Sequence, residues 1–507
     1  MKSKNKVIAL LFGALLAVSG WLFFTGRFHR HPGVPEQRKP KIYNGILDME
    51  PPVAELEPRK LVEVHAIRLA RQLYSSLVTY DNSFNIVGDL VSRWNISPDG
   101  KTYGFVLRDK IFFQDGTRLT AGDVVSCLGK LGREDSTQKE LWRMVKEIKK
   151  IDDGAFSIEL KRRFPPFLDF LTTVYASIAK PGAAGKGPEV VGTGPYRLAD
   201  WQPGKLIRLK RNDLYYGERP KIDEINFFIT TSPGEIGELA KKVPLDDLGW
   251  YNPPLPASVA KDYVELEIPA LQTVLLCLNI SRPPFKEPAF RKAFVKALDK
   301  KEFVSQVYPG VKIASGYLPL GLPGHNFDIP DSYFDAGSDA KILGKYRKKI
   351  DIVAGLNSGG DHAGEEARFH DTYRKFGADV SVRYLSDGDF LKRFLSGDYD
   401  GIKISNEADF PDAYGMLSYF SGSRPMTFLR GGDPRIDAML AGAMAHTDRN
   451  ERTREYEKID KYIVDNFYAV PLYYNTRRKR FHKNLKGILP SLMGEHLFSI
   501  ARLDIDD

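Results

Sequence analysis

The alternation of hydrophobic and polar residues in the first half of the chain predicts several strands with one buried face. LIRLKRN (206–212) and KIDEINFFIT (221–230) carry Ile, Leu or Phe at every second position, which is the side-chain period of a strand. TYGFVLRDKIFFQDGT predicts two more strands, at 103–107 and 111–114, followed by an Asp-Gly turn and a helix that Thr120 caps. We therefore expect half-buried strands joined by turns in this half.

In the second half, short strands alternate with helices. IDIVAG, VSVRYL and YDGIKIS predict strands, separated by helices at 361–376 and in DFLKRFLSG, which gives the order βαβαβ. That order is typical of a parallel sheet with helices on its faces. LLCLNI predicts a short buried strand, and Pro288 begins a helix whose apolar residues recur every four positions. Two further helices, 434–446 and 451–467, precede a strand in AVPLYYN.

The N-terminus resembles a targeting segment. MKSKNK is basic, and the next 18 residues, VIALLFGALLAVSGWLFF, carry no charge. Cleavage after Ser19 fits the small-residue rule, whereas the apolar run continues to Phe24 and approaches the length of a membrane span, which favours an uncleaved anchor. In both cases the chain beyond about residue 27 is exported, and RHPGVPEQRKPK is expected to be an extended tether.

Composition and charge narrow the class of protein. The 507 residues, 42% of them hydrophobic, can form a large core, and a chain of this length usually has two or three domains. The net charge of +9 is spread along the chain, without the interleaved basic and aromatic run of a nucleic-acid groove, so we expect no nucleic-acid partner. Cys127 and Cys277 fall in a helix and a strand of different predicted domains; an exported chain could pair them, but free buried thiols are favoured.

Five segments, in this order, resemble the extracellular solute-binding proteins of ABC transporters, family 5, which include oligopeptide, dipeptide and nickel binders. The segments are LVSRWNISPDGKTYGFVLRDKIFFQDGTRLTAGDVV, the GTGPY signature with its W-x-P-G strand (190–227), LNISRPPFKEPAFRKAFVKALDKKEFVSQVYPG, SGDYDGIKISNEADFPDAYG with an A-D-[YF]-x-[DE] pattern, and YEKIDKYIVDNFYAVPLYYN. Each motif alone is weak, but the five together span about residues 42–505.

The resemblance implies an α/β fold, namely the bilobal periplasmic-binding-protein fold (type II, cluster C) with an extra subdomain inserted in the first lobe. The implied map is a signal peptide or anchor at 1–26, a tether at 27–41, lobe I at 40–78, 189–270 and 485–507, the inserted subdomain at 79–188, and lobe II at 271–484. The βαβαβ order of the second half is consistent with lobe II independently of the resemblance.

The function that the resemblance implies is solute capture for an ABC importer. The protein would bind a short peptide or a similar small solute by hinge closure and deliver it to a permease in the inner membrane. It would be a periplasmic monomer, without a cofactor or enzymatic activity, released or held at the inner membrane by its N-terminal segment. A membrane-tethered sensor with the same fold and a periplasmic hydrolase are the alternatives, although no G-x-S-x-G, HExxH or Cys–His arrangement is present.

Two further motifs have both a structural and a chemical interpretation. GTGPY (192–196) is glycine-rich, as phosphate-binding loops are, but no GK[ST] follows, so a tight turn that needs positive φ is favoured. HAGEEARFH places His362, Glu366 and His370 near one helical face, which could hold a metal. A solvated helix face is favoured there, because the opposite face carries phenylalanines, and we expect no metal site.

The stretch ISNEADFPDAYG (404–415) gathers Glu407, Asp409 and Asp412 beyond a predicted buried strand. Ligands of open α/β sheets bind beyond the carboxyl ends of strands, and an ammonium group withdrawn into a cleft needs an anion. In peptide-binding members of the family, the Asp of the A-D-[YF] motif holds the ligand's α-amino group, so the resemblance implies that role for Asp409. Glu407 could share the charge, and Asp409 or Asp412 could instead cap a turn.

Aromatic residues supply the remaining candidates. Most of the 24 Tyr, 30 Phe and 5 Trp must belong to the core, but some can line a cleft, where rings give contact area that tolerates different ligands. The expected ligand-binding set is Asp409, Glu407, Asp412, Tyr414, Trp201 and Tyr251.

Overall fold

The computed structural model describes residues 39–51, 56–61, 64–180, 190–230, 232–249, 257–335, 337–356, 361–424, 426–489 and 498–506. From Lys41 onward they form one compact unit. The predicted targeting segment and nearly all of the tether lie outside the described residues. Of the helices that are described, none is both long enough and apolar enough to cross a membrane.

The regular elements of the described residues follow the chain in this order. The strands are β1 (Ile42–Leu47), β2 (Val78–Tyr80), β3 (Ile86–Gly88), β4 (Val91–Ile96), β5 (Thr102–Leu107), β6 (Val145–Lys150), β7 (Ala155–Leu160), β8 (Tyr196–Gln202), β9 (Leu206–Arg211), β10 (Glu224–Ile229), β11 (Tyr263–Leu278), β12 (Lys312–Ile313), β13 (Ile350–Gly355), β14 (Val380–Leu385), β15 (Gly401–Glu407), β16 (Ala469–His482), β17 (Leu485–Lys486) and β18 (Asp504–Ile505). The α-helices are Val64–Leu73, Ala121–Gly129, Lys139–Trp142, Phe167–Leu171, Pro233–Ala240, Ala257–Ala260, Pro288–Ala297, Lys300–Val307, His362–Arg374, Asp387–Ser396, Tyr414–Leu417, Pro434–Ala445 and Arg449–Asp465.

The first half of the chain builds two four-stranded sheets, β1-β10-β9-β8 and β4-β5-β7-β6. The predicted alternation in β9 and β10 is confirmed: Ile207, Leu209, Ile225 and Phe227 are buried, and Ile229 is half-buried. A mainly antiparallel sheet with one solvated face requires this pattern.

The segment after β5 differs in part from its prediction. The expected strand at 111–114 is wrong, because only an isolated bridge between Phe112 and Arg118 forms there. The turn that follows has Gly116 at φ +85°, and the predicted helix cap is confirmed. Thr120 accepts a hydrogen bond from the amide of Asp123, whose side chain accepts one from the amide of Thr120, so the helix begins with a capping box.

A six-stranded sheet, β12-β16-β11-β15-β13-β14, forms the centre of the second half. The βαβαβ prediction is confirmed, since β13 pairs parallel with both β14 and β15. The expectation of a parallel sheet is correct only for that edge, because β15 pairs antiparallel with β11, and β11 antiparallel with β16. A βαβ unit fixes only the direction of the strands that it connects, and β11 and β16 enter the sheet from outside it.

The strands β11 and β16 are much longer than the apolar runs that predicted them. They pair from Tyr263 opposite His482 to Cys277 opposite Ala469, with register shifts near the middle. Leu266 and Phe481 at one end pack in the core of the first sheet, whereas the other end lies in the cores of the six-stranded sheet. The extra length was missed because VELEI and TRRKRFH carry charged residues and do not read as a buried run.

Two smaller predictions need adjustment. The segment EPAFRKAFVKALDKKEFVSQVY predicts one helix, but the helix that begins at Pro288 ends at Ala297. Asp299 starts a second helix by accepting a hydrogen bond from the amide of Glu302 at 3.0 Å. Both cysteines are free, as expected. Cys277 is buried, but Cys127 is only half-buried.

A buried ion pair joins the six-stranded sheet to a covering helix. Lys403 on β15 lies 2.5 Å from Glu365 of helix His362–Arg374, and both side chains are 1% exposed. Lys403 also donates to the hydroxyl of Tyr308 at 2.7 Å, and the hydroxyl of Tyr384 donates to Glu365. Burial lowers the pKa of Lys403, and the charge of Glu365 opposes that shift. Each charge therefore depends on the other to remain inside.

We expect Glu365→Gln to destabilise the protein by about 3–5 kcal/mol, because it leaves the Lys403 ammonium buried without its counter-charge. The double variant Glu365→Leu/Lys403→Met should recover most of that loss. The control Glu134→Gln removes an exposed partner of Lys139 and should cost no more than about 1 kcal/mol. Urea unfolding followed by circular dichroism measures all three, and a loss below about 1 kcal/mol for Glu365→Gln would contradict the assignment.

Candidate functional site

The acidic loop 408–413 begins where β15 ends, at Glu407. The amide of Ala408 donates to the carbonyl of Leu271 at 2.8 Å, which fixes the loop against β11. Phe410 is 3% exposed and packs in the core formed mainly by the first half of the chain. Asp409, between these two anchored residues, is exposed. The local sequence thus places one carboxylate outward at the carboxyl end of a strand.

The hydroxyl of Tyr175 donates to Oδ1 of Asp409 at 3.2 Å. Tyr175 lies in the short helix Val174–Ala176, 234 residues earlier in the chain, and is 6% exposed. Burial raises the pKa of Tyr175, and the charges of Asp409 and then Glu407 add to that shift. The charges of Asp409 and Glu407 therefore both affect Tyr175, at a place where the two halves of the chain meet.

Glu407 is tied into the sheet rather than the loop. It forms an ion pair with Arg477 of β16, and both side chains are half-buried. Its main chain lies opposite Gln272 of β11 in the sheet register. Because β15 stops at Glu407, strand alternation does not extend to Asp409.

Asp412 has its hydrogen bonds satisfied inside the protein. It accepts from Nε and Nη2 of Arg452 at 3.1 and 3.0 Å, from the hydroxyl of Tyr456 at 2.7 Å, and from the amide of Tyr414 at 3.0 Å. Asp412 and Arg452 are each 3% exposed. This geometry agrees with the turn-capping interpretation of Asp412. The charge of Asp412 also holds helix Arg449–Asp465 through Arg452.

Asp169 is an acid of this region that the sequence interpretation missed. It lies in helix Phe167–Leu171, is 5% exposed, accepts from the hydroxyl of Tyr80 at 2.6 Å and lies 3.9 Å from Arg449. Burial raises its pKa to about 6, and the nearby charge of Asp412 adds to that shift. The available signal was a single acid within the apolar run FPPFLDFL, which is unusual unless the acid has a partner.

The two aromatic candidates that the structure describes, Tyr414 and Trp201, pack against different hydrophobic cores. Tyr414 packs edge-on against Phe164, with 4.9 Å between ring centroids, and lines a cavity. Trp201 donates from Nε1 to Glu50 at 2.7 Å and packs against the core of the first sheet. Tyr251 lies outside the described residues.

The GTGPY loop packs tightly against the end of helix Val64–Leu73. A Cβ atom on Gly192 would lie 2.2 Å from the carbonyl oxygen of Leu73, and one on Gly194 would lie 2.4 Å from the carbonyl carbon of Leu73. Neither glycine has a positive φ. The preference for a structural role is consistent with this packing, but its expected reason was wrong: glycine allows close approach here rather than a left-handed backbone.

The three residues of the helix His362–Arg374 that could hold a metal have different surroundings. The ring of His362 stacks on Tyr384, with 4.0 Å between centroids, and its Nε2 lies 2.9 Å from the carbonyl oxygen of Leu356. His370 lies 3.6 Å from Asp371. In the part of the chain that the structure describes, no group of three or more His, Cys, Asp or Glu side chains is arranged to hold a metal ion.

Comparisons with known proteins agree with the arrangement of these elements. The model of the bacterial extracellular solute-binding proteins, family 5, matches residues 85–428. A probable D,D-dipeptide-binding periplasmic protein of Escherichia coli (strain K12) is 26% identical over 477 residues, which cover 88% of this chain and 91% of that protein.

Two solved structures show the same fold. A dipeptide-binding protein of Pseudoalteromonas sp. SM9913 in complex with Met-Leu has a TM-score of 0.75 and 21% identity, covering 92% of this chain and 100% of that one. The protein NikA of Brucella suis in complex with Fe(III)-EDTA has a TM-score of 0.77 and 20% identity, with the same coverage. The prediction of an α/β, bilobal periplasmic-binding-protein fold is confirmed.

Asp412→Asn should destabilise the protein by about 3–5 kcal/mol, because Arg452 is buried and would lose its counter-charge. Glu407→Gln should cost about 1 kcal/mol or less, because the ion pair with Arg477 is partly solvated. Urea unfolding midpoints of the two variants and the parent test the difference. Equal losses would contradict the structural role assigned to Asp412.

Proposed function

The chain belongs to the bacterial extracellular solute-binding proteins, family 5, since the family model matches most of it, and from this we propose that it binds a short peptide for an ABC importer. Relatives of this chain support a peptide ligand, since they include a dipeptide-binding protein of Escherichia coli and an oligopeptide-binding protein of Bacillus subtilis. In such an importer, the binding protein delivers its ligand to a permease in the inner membrane, and that permease is the partner we propose.

The observation that carries the proposal is the position of Asp409. Of the three acids in and beside the loop, Asp412 is buried and Glu407 is half-buried, whereas Asp409, which accepts a hydrogen bond from the hydroxyl of Tyr175, is exposed. It lies beyond the carboxyl end of β15, where ligands of open α/β sheets bind. We therefore assign to Asp409 the recognition of the peptide's α-ammonium group, which needs an anion once it leaves water.

The capture mechanism is closure of two lobes. We propose lobe I at 40–78, 189–270 and 485–507, with the inserted subdomain at 79–188, and lobe II at 271–484. The paired strands β11 and β16 then form the connection between the lobes, and Tyr175 meets Asp409 across the cleft. A ligand held by one lobe recruits the other, and the permease recognises the closed form.

Asp409 is also placed to distinguish peptides by their amino terminus. The sheet edges and loops of the cleft can satisfy the peptide main chain with their own N–H and C=O groups, so affinity need not depend on the peptide's side chains. The charge at the amino terminus is shared by all unmodified short peptides, and a single carboxylate suffices to bind it. No bond is made or broken in this process, and no cofactor takes part.

Asp409→Asn should weaken the binding of a free-amine dipeptide by about 2–5 kcal/mol, because the ammonium loses its counter-charge in the cleft. The dipeptide is chosen by its depletion from a mixed library incubated with the parent protein. Titration calorimetry then compares that dipeptide with its N-acetylated form, for which parent and variant should differ little.

The control variant Asp398→Asn removes an exposed acid paired with Arg393 and should bind as the parent does. Parent-like affinity of Asp409→Asn for the free-amine dipeptide would overturn the assignment. Peptide fragments accumulating catalytically in the library would instead favour a hydrolase.

We also propose that the N-terminal segment exports the body of the protein to the periplasm, either as a cleaved signal or as an anchor. Basic residues before an apolar segment favour retention of the basic end inside the cell. Alkaline phosphatase fused after residue 40 should therefore be active, because it requires an oxidising compartment. An inactive fusion, together with an active cytoplasmic reporter at the same position, would refute export.

A further inference from the structure

The cavity that Tyr414 lines lies between the segment 140–163 of the first half and the segment 414–445 of the second. Its volume is about 990 Å³, which is at the upper end of the range for small-molecule sites. Its apolar wall includes Leu141, Met144, Leu440 and Met444. A ligand with an apolar body could be buried against this wall.

The rim of the cavity is basic. It carries five cationic side chains and two acids, namely Arg143, Lys161, Arg162, Arg163, Arg424, Glu140 and Asp437. Glu140 pairs with Arg143 at 2.8 Å, and Asp437 accepts from the hydroxyl of Ser421. Within the described ranges, the other four cations of the rim form no ion pair with a carboxylate. The cavity therefore has an excess of positive charge beside an apolar wall.

Two of these cations are held in place by neutral groups. Arg163 is half-buried and donates to the main-chain oxygens of Asp99 at 3.1 Å and Ala445 at 3.3 Å. Arg424, also half-buried, donates to the hydroxyl of Ser418 at 2.5 Å, and its guanidinium lies 4.3 Å from the centre of the Tyr419 ring. These contacts hold the guanidinium groups of Arg163 and Arg424 in place without neutralising their charges. A planar guanidinium group favours an anion whose oxygen acceptors lie in one plane, such as a carboxylate.

We propose that this cavity binds a small amphiphilic carboxylate, whose apolar body lies on the wall around Leu440 and Met444 and whose anionic group meets the basic rim. Lys161 and Arg162 are exposed at the rim and supply the mobile part of that charge. Asp409, to which we assign the peptide's ammonium group, is not among the residues that line this cavity, and the two attract groups of opposite charge. Because its walls come from distant parts of the chain, a bound carboxylate would also hold the two segments together.

Titration calorimetry with 4-phenylbutyrate, its neutral amide and acetate tests the proposal on the full-length protein. 4-Phenylbutyrate should bind, the amide should bind at least about tenfold more weakly because it lacks the charge, and acetate should bind weakly because it lacks the apolar body. The variant Lys161→Gln/Arg162→Gln should lose about tenfold or more in affinity for 4-phenylbutyrate.

A matched control removes two cations elsewhere. Arg347→Gln/Lys348→Gln changes an exposed pair outside the cavity and should bind 4-phenylbutyrate as the parent does. Asp409→Asn should also bind it normally, which separates this site from the peptide site. Equal affinity for the acid and the amide, unchanged binding by Lys161→Gln/Arg162→Gln, or loss of binding in Asp409→Asn would overturn the proposal.

Discussion

The pairing of β11 with β16 is the constraint on which the rest of the structure depends. These two strands run antiparallel from the core of the first sheet into the cores of the six-stranded sheet, so both halves of the molecule share one ribbon. A buried charge cluster fixes its end in the first half. Asp247 lies 2.5 Å from Arg68 and 3.6 Å from Lys479 of β16, and accepts from the hydroxyl of Tyr43 at 2.9 Å. Removing Asp247 would take a counter-charge from two buried cations.

The three acids near the carboxyl end of β15, Glu407, Asp409 and Asp412, have different roles because their surroundings differ. The buried pair of Asp412 with Arg452 holds the helix that leads back to β16, and Glu407 with Arg477 ties β15 to the same ribbon. Both pairs position the loop 408–413 without occupying its outward side. Asp409 meets Tyr175 from the other half of the molecule, and in our proposal this contact lies where the lobes close on a ligand.

Sequence patterns predicted the elements well where burial alone decides them. The alternation in β9 and β10 and the βαβαβ unit are both present, because side-chain period and chain order determine them locally. The full lengths of β11 and β16 could not be predicted, since their charged ends are paired by partners distant in sequence. The same holds for the site: the motif indicated Asp409, but the arginines that engage Glu407 and Asp412 lie 70 and 40 residues away.

We propose that this chain binds a short peptide through the peptide's free amino terminus. Mass spectrometry of the ligand that co-purifies with the exported protein tests it most directly, because no ligand has to be chosen beforehand. We expect short peptides with unmodified α-amino groups, present with Asp398→Asn and strongly depleted with Asp409→Asn. A sugar, a metal chelate or an N-blocked peptide bound equally by both variants would contradict it.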